Sequence, residues 1–202
     1  MFATPASPVV AAAAQVASAV PAQLVLRSGP GGRVVARLGR RPQFGSPVVL
    51  GVGAHRGGWV GVITPALPNG ELGWVRAAQL RVAPARYAIV VDLSSRTLVL
   101  ERGTHVLRTA QVGIGRAGSP TPTGRFVVTD KLAGDAVYGC CILALSGHQP
   151  HPPPGWTGGT RLAIHGGSTA GAVSSGCVHA DDADLRYLMA TVPLGTPVTI
   201  RG

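Results

Sequence analysis

The sequence predicts a mainly β fold with a single helix near its C-terminal end. Its 202 residues include 29 Gly and 17 Pro, which separate many short apolar segments. Such segments are typical of strands joined by tight turns. Because 46% of the residues are hydrophobic, the chain can form a packed core. No apolar run approaches the ~18 residues of a membrane span, so a transmembrane protein is not expected.

Three parts follow one another along the chain. Residues 1–21 are small, apolar and uncharged, and we interpret them as a low-complexity tether or a signal remnant. In residues 22–83, closely spaced short strands predict a small barrel. Residues 87–201 form the third part, which contains longer consecutive strands. The strands expected in the second part are 34–38, 47–52, 59–63 and 73–75, and those in the third part are 87–93, 97–101, 106–112, 125–129, 141–145, 161–165 and 197–200.

One helix is predicted between the last two of these strands. Asp181 is a suitable N-cap residue, and acidic residues follow it in the first turn. Pro193 and Gly195 should end the helix. The apolar stripe has the spacing i, i+3, i+4, i+7 and consists of Leu185, Leu188, Met189 and Val192.

Basic residues outnumber acidic residues 18 to 8, which gives a formal charge of +10. This excess favours anionic surroundings, namely nucleic acid, acidic lipid or an anionic cell wall. The basic residues are scattered, and only Arg40 and Arg41 are adjacent. Because no nucleic-acid-binding motif accompanies them, a nucleic-acid binder ranks last. An arginine-rich composition without a functional cause explains the charge equally well.

The three cysteines leave at least one thiol free. We do not expect a bridge between Cys140 and Cys141. Neighbouring Cα atoms are ~3.8 Å apart, below the usual ~4.4–6.8 Å of a disulfide. Both residues are interpreted as small buried side chains of a strand.

The residues that can perform chemistry lie between 161 and 179. A thiol must lose its proton to attack a carbonyl, and a nearby imidazole can take that proton. We therefore expect Cys177 and His165 to act as nucleophile and base, in an ion pair that keeps the sulfur ionised. A helix start downstream should lower the pKa of the thiol further. The backbone N–H groups of Ser175, Gly176 and Cys177 are candidates for an oxyanion hole.

A zinc site is a competing interpretation of the same residues, because His165, Cys177 and His179 are all possible ligands. The segment has neither a Cys-x-x-Cys pair nor an obvious fourth ligand. A glycine loop for phosphate is also missing, because the run 113–124 lacks the required Lys and a following helix. We therefore expect neither a metal nor a cofactor.

Residues 87–201 resemble the L,D-transpeptidase catalytic domain of the YkuD type. That family has His-Gly, a spacer and then Ser-His-Gly-Cys. The matching residues here are His165-Gly166 and Ser174-Ser175-Gly176-Cys177. Three further segments resemble the family in the same order: the opening hairpin at 87–100, the Gly…Thr-Pro-x-Gly-x-Phe segment at 113–126 and the closing Gly-Thr-Pro-Val strand at 194–198.

The resemblance implies a β-sandwich enzyme that acts on peptidoglycan stem peptides. Cys177 would attack the third residue of a tetrapeptide and form a thioester, and D-Ala would leave. An amine of a neighbouring stem would then resolve the thioester, giving a three-to-three cross-link. His165 would be the general base and acid, oriented by the backbone carbonyl of Gly166. An L,D-carboxypeptidase, in which water resolves the thioester, is the alternative within the same class.

The chain departs from the family pattern at three places. Ser175 stands where the family has His, His179 stands where it has Arg or Asn, and the spacer before Ser174 is short. Because of these departures, a cell-wall-binding protein that has lost its catalytic activity stays an alternative interpretation. Tyr138 and Trp156 flank the region that covers the site in this family. With Ser174 and His179, they are the expected substrate-binding residues.

Residues 22–83 resemble a bacterial SH3-like domain. The resemblance is carried by the segment 26–31, by Trp59 and by the segment 69–75. It implies contact with cell-wall glycopeptide, and a spacer or cap that binds nothing is the alternative. Together with the Ala/Pro/Val-rich start, this indicates an exported protein of the periplasm or cell wall, whose partner is peptidoglycan.

Overall fold

The computed structural model describes residues 14–41 and 43–202. Within these residues, the chain forms two large sheets, one two-stranded sheet and a single α-helix. The mainly β fold and the single helix are therefore confirmed. Each large sheet has its own hydrophobic core.

The first sheet contains seven strands, all paired antiparallel. Their order across the sheet is β3-β2-β6-β5-β4-β1-β7. A short 3-10 helix at Ala77–Gln79 precedes the last strand. The resemblance of this part to SH3-like domains stays a prediction. The strands are β1 (Gln15–Ala19), β2 (Gln23–Arg27), β3 (Val34–Gly39), β4 (Val49–Arg56), β5 (Trp59–Ile63), β6 (Gly73–Arg76) and β7 (Leu80–Pro84).

The structure differs from the expected tether at the start of the chain. Residues 15–19 form β1, which lies between β4 and β7 and pairs with both. Ala17 is fully buried in the core of this sheet, so a small apolar residue is needed there. The interpretation of residues 1–21 as a tether is therefore wrong for β1. Residues 1–13 lie outside the described residues.

The second large sheet has eight strands in the order β10-β9-β8-β17-β12-β13-β14-β16. Each strand predicted between 87 and 201 has a counterpart. Two neighbouring pairs are parallel, β8 with β17 and β14 with β16. β11 (Ile114–Gly115) and β15 (Ala172–Ser174) form the separate two-stranded sheet. The eight strands are β8 (Tyr87–Asp92), β9 (Thr97–Arg102), β10 (His105–Gln111), β12 (Gly124–Ala133), β13 (Cys141–His148), β14 (Arg161–Gly166), β16 (Val178–Ala180) and β17 (Pro197–Arg201).

The helix α1 (Asp182–Thr191) begins and ends where the sequence predicts. The side chain of Asp181 accepts a hydrogen bond from the backbone N–H of Asp184 at 2.8 Å, which is an N-cap bond. The helix packs against β13 and β14. Of its apolar stripe, Leu185, Leu188 and Val192 are buried in the core of the second sheet.

The two large sheets contact each other through β4 and β12. Gly51 makes this approach possible, because a Cβ atom at its position would lie 2.6 Å from Cγ1 of Val127. Any larger residue there would push the strands apart. The first sheet therefore packs directly on the sheet that carries the candidate site.

A disulfide joins Cys140 to Cys141, so the prediction that these residues are not bridged was wrong. Their Cα atoms are 3.8 Å apart, the spacing of chain neighbours. A bridge between neighbours closes a ring through their shared peptide bond. The usual range of Cα distances, which describes bridges between separate segments, does not apply to such a ring. Cys177 is the free cysteine.

None of the helices in the described part of the chain is long and apolar enough to span a membrane.

Candidate active site

A cavity of about 420 Å³ lies at the end of β14 and beside β16. The parallel pairing of these strands sets His165 opposite His179, and Cys177 immediately precedes β16. Two motifs that are separated in the sequence therefore meet at one edge of the sheet. The predicted site residues that line the cavity are Tyr138, Trp156, His165, Ser174, Ser175, Cys177 and His179.

His165 is held by its own neighbour in the chain. Its Nδ1 lies 2.8 Å from the carbonyl oxygen of Gly166. Because a carbonyl oxygen only accepts, Nδ1 carries the proton in the neutral ring, and the lone pair lies on Nε2. The contact expected between Gly166 and His165 is present. It leaves Nε2 able to accept a proton.

The environment of His165 favours the neutral imidazole. Burial lowers the pKa of His165 to about 4, and the hydrogen bond to Gly166 only partly opposes this effect. The nearby His179 lowers the pKa further. The ring of Tyr138 packs edge-on against His165 at a centroid distance of 4.9 Å. At neutral pH, His165 is therefore a neutral imidazole inside a largely apolar wall.

The thiol of Cys177 is half-buried, and burial raises its pKa. A backbone hydrogen bond with Ala163 offsets part of that rise. Between Cys177 and His165, both within the described part of the chain, there is no hydrogen bond. The expected resting ion pair and the lowered thiol pKa are therefore wrong. Burial penalises both charges, so the resting pair is a neutral thiol and a neutral imidazole.

Ser174 forms hydrogen bonds within the loop that carries Cys177. Its hydroxyl donates to the carbonyl oxygen of Cys177 at 2.6 Å and accepts from the N–H of Gly176 at 3.0 Å. The N–H of Gly176 is therefore occupied, contrary to its expected place in an oxyanion hole. The N–H groups of Ser175 and Cys177 stay candidates for that role. Ser174 itself is buried, and its hydroxyl shapes the loop.

His179 contacts both the catalytic candidate and a neighbouring loop. Its ring lies tilted against His165 at 4.7 Å between centroids. Its Nδ1 is 3.3 Å from the carbonyl oxygen of Ser168, in the loop that follows the His-Gly motif. Burial lowers the pKa of His179. In this structure, His179 anchors that loop and adjoins the base, while a contact with substrate stays a prediction.

Tyr138 and Trp156 belong to two different segments of the chain that line the cavity. The backbone carbonyl of Tyr138 accepts a hydrogen bond from the N–H of Gly166 at 2.7 Å, which connects this wall to the residue that follows His165. Trp156 belongs to the Pro/Gly-rich loop and is 47% exposed. Because the indole of Trp156 lines the cavity and is exposed to solvent, it can contact a molecule that binds there.

Gln149, which was not among the residues predicted from the sequence, also lines the cavity. Its side chain is 6% exposed, although a glutamine is usually found at the surface. The sequence feature that could have indicated Gln149 is its position as a polar residue between an apolar strand and a Pro-rich loop.

No group of three or more His, Cys, Asp or Glu side chains within residues 14–41 and 43–202 is arranged to hold a metal ion.

Comparisons with known proteins agree on one family. The model of the YkuD L,D-transpeptidase catalytic domain matches residues 86–200. A putative L,D-transpeptidase YkuD of Bacillus subtilis (strain 168) is 31% identical over 119 residues, which cover 56% of this chain and 65% of that protein. The chain thus spans slightly less than two thirds of the length of that relative.

A second relative and a solved structure align over larger parts of this chain. A putative L,D-transpeptidase YkuD of Bacillus licheniformis is 30% identical over 147 residues, covering 67% of this chain and 82% of that protein. The crystal structure of an Enterococcus faecium L,D-transpeptidase mutant aligns at 18% identity with a TM-score of 0.47. It covers 73% of this chain and 71% of that one.

Proposed function

This chain belongs to the YkuD family of L,D-transpeptidases, and we propose that it forms three-to-three cross-links between peptidoglycan stem peptides through a thioester on Cys177. The observation that carries this proposal is the shared cavity of Cys177 and His165, in which the Gly166 carbonyl leaves Nε2 of His165 free as a base.

The first half of the reaction forms the thioester. Sγ of Cys177 attacks the carbonyl carbon of the third stem residue while Nε2 of His165 takes the thiol proton. The resulting oxyanion is stabilised by backbone N–H groups, for which Ser175 and Cys177 are the candidates. The tetrahedral intermediate then collapses, the C–N bond breaks, and the leaving D-Ala amine receives the proton from His165.

The second half transfers the acyl group to an amine. His165 takes a proton from the amine of a neighbouring stem as its nitrogen attacks the thioester carbonyl. The C–S bond then breaks, and His165 returns the proton to the sulfur. The neutral resting pair supports this order, because proton transfer accompanies attack and no charge has to be kept in the buried cavity beforehand.

The formal charge of +10 supports an anionic partner, and we propose an exported protein that works at the cell wall. We also propose that the second part of the chain, residues 22–83, is the SH3-like module and adds a contact with wall glycopeptide. In this part of the chain, Trp59 is half-buried and Trp74 is buried, and each ring lies under an Arg side chain in a cation–π pair.

The test is incubation of the protein with disaccharide-tetrapeptide, followed by mass spectrometry. Loss of D-Ala with a cross-linked dimer is expected, together with an acyl adduct on the intact protein. The Cys177→Ala variant should give neither product nor adduct. Monomeric tripeptide alone would indicate a carboxypeptidase. No Cys177-dependent product would contradict the proposed catalysis and favour a wall-binding protein.

A further inference from the structure

Gln149 follows β13 directly and reaches the loop that carries the nucleophile. Its Nε2 lies 3.0 Å from the carbonyl oxygen of Ser175. The same Nε2 lies 3.2 Å from the carbonyl oxygen of Ser119 and 3.0 Å from that of Pro120. Its Oε1 accepts from the N–H of His151 at 3.0 Å. Because the three carbonyl oxygens can only accept and the His151 N–H can only donate, they determine which end of the side-chain amide is Nε2 and which is Oε1.

The nucleophile loop lies so close to this amide that it requires a glycine. Gly176 has a φ of +122°, a region that L side chains rarely adopt. A Cβ atom at this position would overlap the side-chain amide of Gln149. The residue immediately before Cys177 is thus fitted against Gln149.

The peptide unit between Ser175 and Gly176 is held at both ends. Its carbonyl accepts from Gln149, and its N–H donates to the hydroxyl of Ser174. A peptide unit is planar, so fixing the carbonyl and the N–H together fixes the whole plane. Without Gln149, only the bond to Ser174 would oppose rotation of this plane.

We propose that Gln149 is a positioning residue that keeps this peptide unit in the orientation required for acyl transfer at Cys177; the proposal rests on the proposed function. By fixing the peptide plane, Gln149 determines the position of the Cys177 backbone. It also determines how the N–H groups of Ser175 and Cys177 are oriented toward the reacting carbonyl. It acts through the loop and does not touch the reacting atoms.

The hydrogen-bonding capacity of Gln149 supports positioning over direct contact with substrate. Nε2 has two hydrogens, and three carbonyl oxygens already surround it. The same amide also links the Ser119–Pro120 segment to the nucleophile loop. The two segments are far apart in the chain. Among the hydrogen bonds of the described residues, no other side chain bonds to both of them.

Two substitutions distinguish the contribution of the hydrogen bonds of Gln149 from the contribution of its side-chain volume. Gln149→Glu keeps the shape, removes both N–H donors and sets a carboxylate against carbonyl oxygens. Gln149→Met keeps the length and removes all polar atoms. Gln111→Glu is the matched control, because Gln111 lies exposed on β10. Thermal melting establishes that each variant is folded.

Two chemical probes of Cys177 provide the readout. p-Nitrophenyl acetate acylates the thiol through a tetrahedral oxyanion and releases p-nitrophenol. Iodoacetamide alkylates the thiolate by displacing iodide and forms no such oxyanion. We expect both Gln149 variants to lower the acylation rate about 10- to 100-fold, the cost of small misplacements at reacting groups. The alkylation rate should stay within about twofold of wild type, because the thiol keeps its environment.

Three results would decide the matter. Acylation within about twofold of wild type in both folded variants would overturn the inference. A parallel fall of alkylation and acylation would also overturn it, because the effect would then lie in thiol reactivity or general disruption. If the wild type fails to process stem peptides while ester acylation still depends on Gln149, the proposed function fails and the positioning role stands.

Discussion

Asn69 forms two hydrogen bonds with the backbone of His148. Its Nδ2 donates to the His148 carbonyl at 2.7 Å, and the His148 N–H donates to Oδ1 at 2.8 Å. The His148 ring adds a third contact, from Nε2 to the carbonyl oxygen of Pro65 at 2.8 Å. The turn that carries Asn69 belongs to the second part of the chain, residues 22–83. It therefore holds the end of β13, directly before Gln149.

Asn69→Ala should reduce stability, because both hydrogen bonds are lost together. We expect a loss of about 1–2 kcal/mol in the free energy of unfolding, measured with urea. Glu71→Ala is the control in the same turn, and its change should stay within about 0.5 kcal/mol. Equal stability of the two variants would show that the contact between Asn69 and His148 contributes nothing.

Arg108→Met should be more destabilising than an ordinary surface change. Arg108 Nε donates to the carboxylate of Asp184, which is buried at the start of α1. Removing the guanidinium leaves a buried carboxylate without its ion-pair partner. Because Arg108 is partly exposed, we expect a loss of stability larger than that of an exposed ion pair and smaller than that of a fully buried pair.

The matched control for Arg108 is Arg186→Met. Arg186 pairs with Asp182 at 3.6 Å, and both side chains are exposed. An exposed pair of this kind contributes about 0–0.5 kcal/mol. If urea unfolding gives the same loss for both variants, the bond between Arg108 and Asp184 is no stronger than a surface pair.

The activity of the enzyme should persist at acidic pH. Because burial lowers the pKa of His165 to about 4, the base stays unprotonated well below the ordinary histidine value. The acid limb of the kcat/KM profile should therefore lie near 4. In His179→Ala the limb should move upward, because the charge of His179 lowers the pKa of His165. An acid limb near the ordinary histidine value of about 6.5 would contradict this assignment.

The same shift should make folding pH-dependent. His165 binds a proton more weakly in the folded chain than in the unfolded chain, so stability is full above the unfolded pKa and falls as pH drops toward 4. Between pH 7 and 5, His165 should account for a loss of about 2 kcal/mol. Urea unfolding of wild type and His165→Gln isolates this contribution. If the free energy of unfolding of the two proteins has the same pH dependence, His165 does not contribute to it.

The bridge between Cys140 and Cys141 predicts a specific thiol count. Unfolded in guanidinium without reductant, each chain should react with one equivalent of a disulfide reagent, at Cys177. After reduction, the count should rise to three, the number of cysteines in the chain. Cys177→Ala should show no thiol before reduction. A count of three without reductant would mean that the bridge is not formed in the purified protein.

Local patterns were sufficient where the cause of the structure is local. Asp181 and the apolar stripe predicted α1, because capping and helical spacing act over a few residues. Cys177 and His165 were found because their glycine-flanked motifs match a family. β1 was missed because its strand character depends on pairing with β4 and β7, which lie far along the chain.

The remaining differences have long-range causes. Gln149 contacts residues 26, 29 and 30 positions away, and no local pattern indicates such contacts. The neutral state of Cys177 and His165 depends on burial by several segments. The sequence does not show that burial, and the expected ion pair was therefore argued from the proximity of the two residues alone. The hydrogen bonds of Ser174 within the loop could not be predicted from its position in the sequence, and its contact with substrate stays a prediction.

The parallel pairing of β8 with β17 determines how the second sheet responds to mechanical load. These are its first and last strands along the chain, and Ile89 faces Val198 while Asp92 faces Arg201. A force that pulls residues 87 and 201 apart acts along both strands in opposite directions. Their hydrogen bonds then share the force and must break together, whereas a hairpin pulled from its open end separates one bond at a time. The catalytic part of the chain is therefore built to resist stretching.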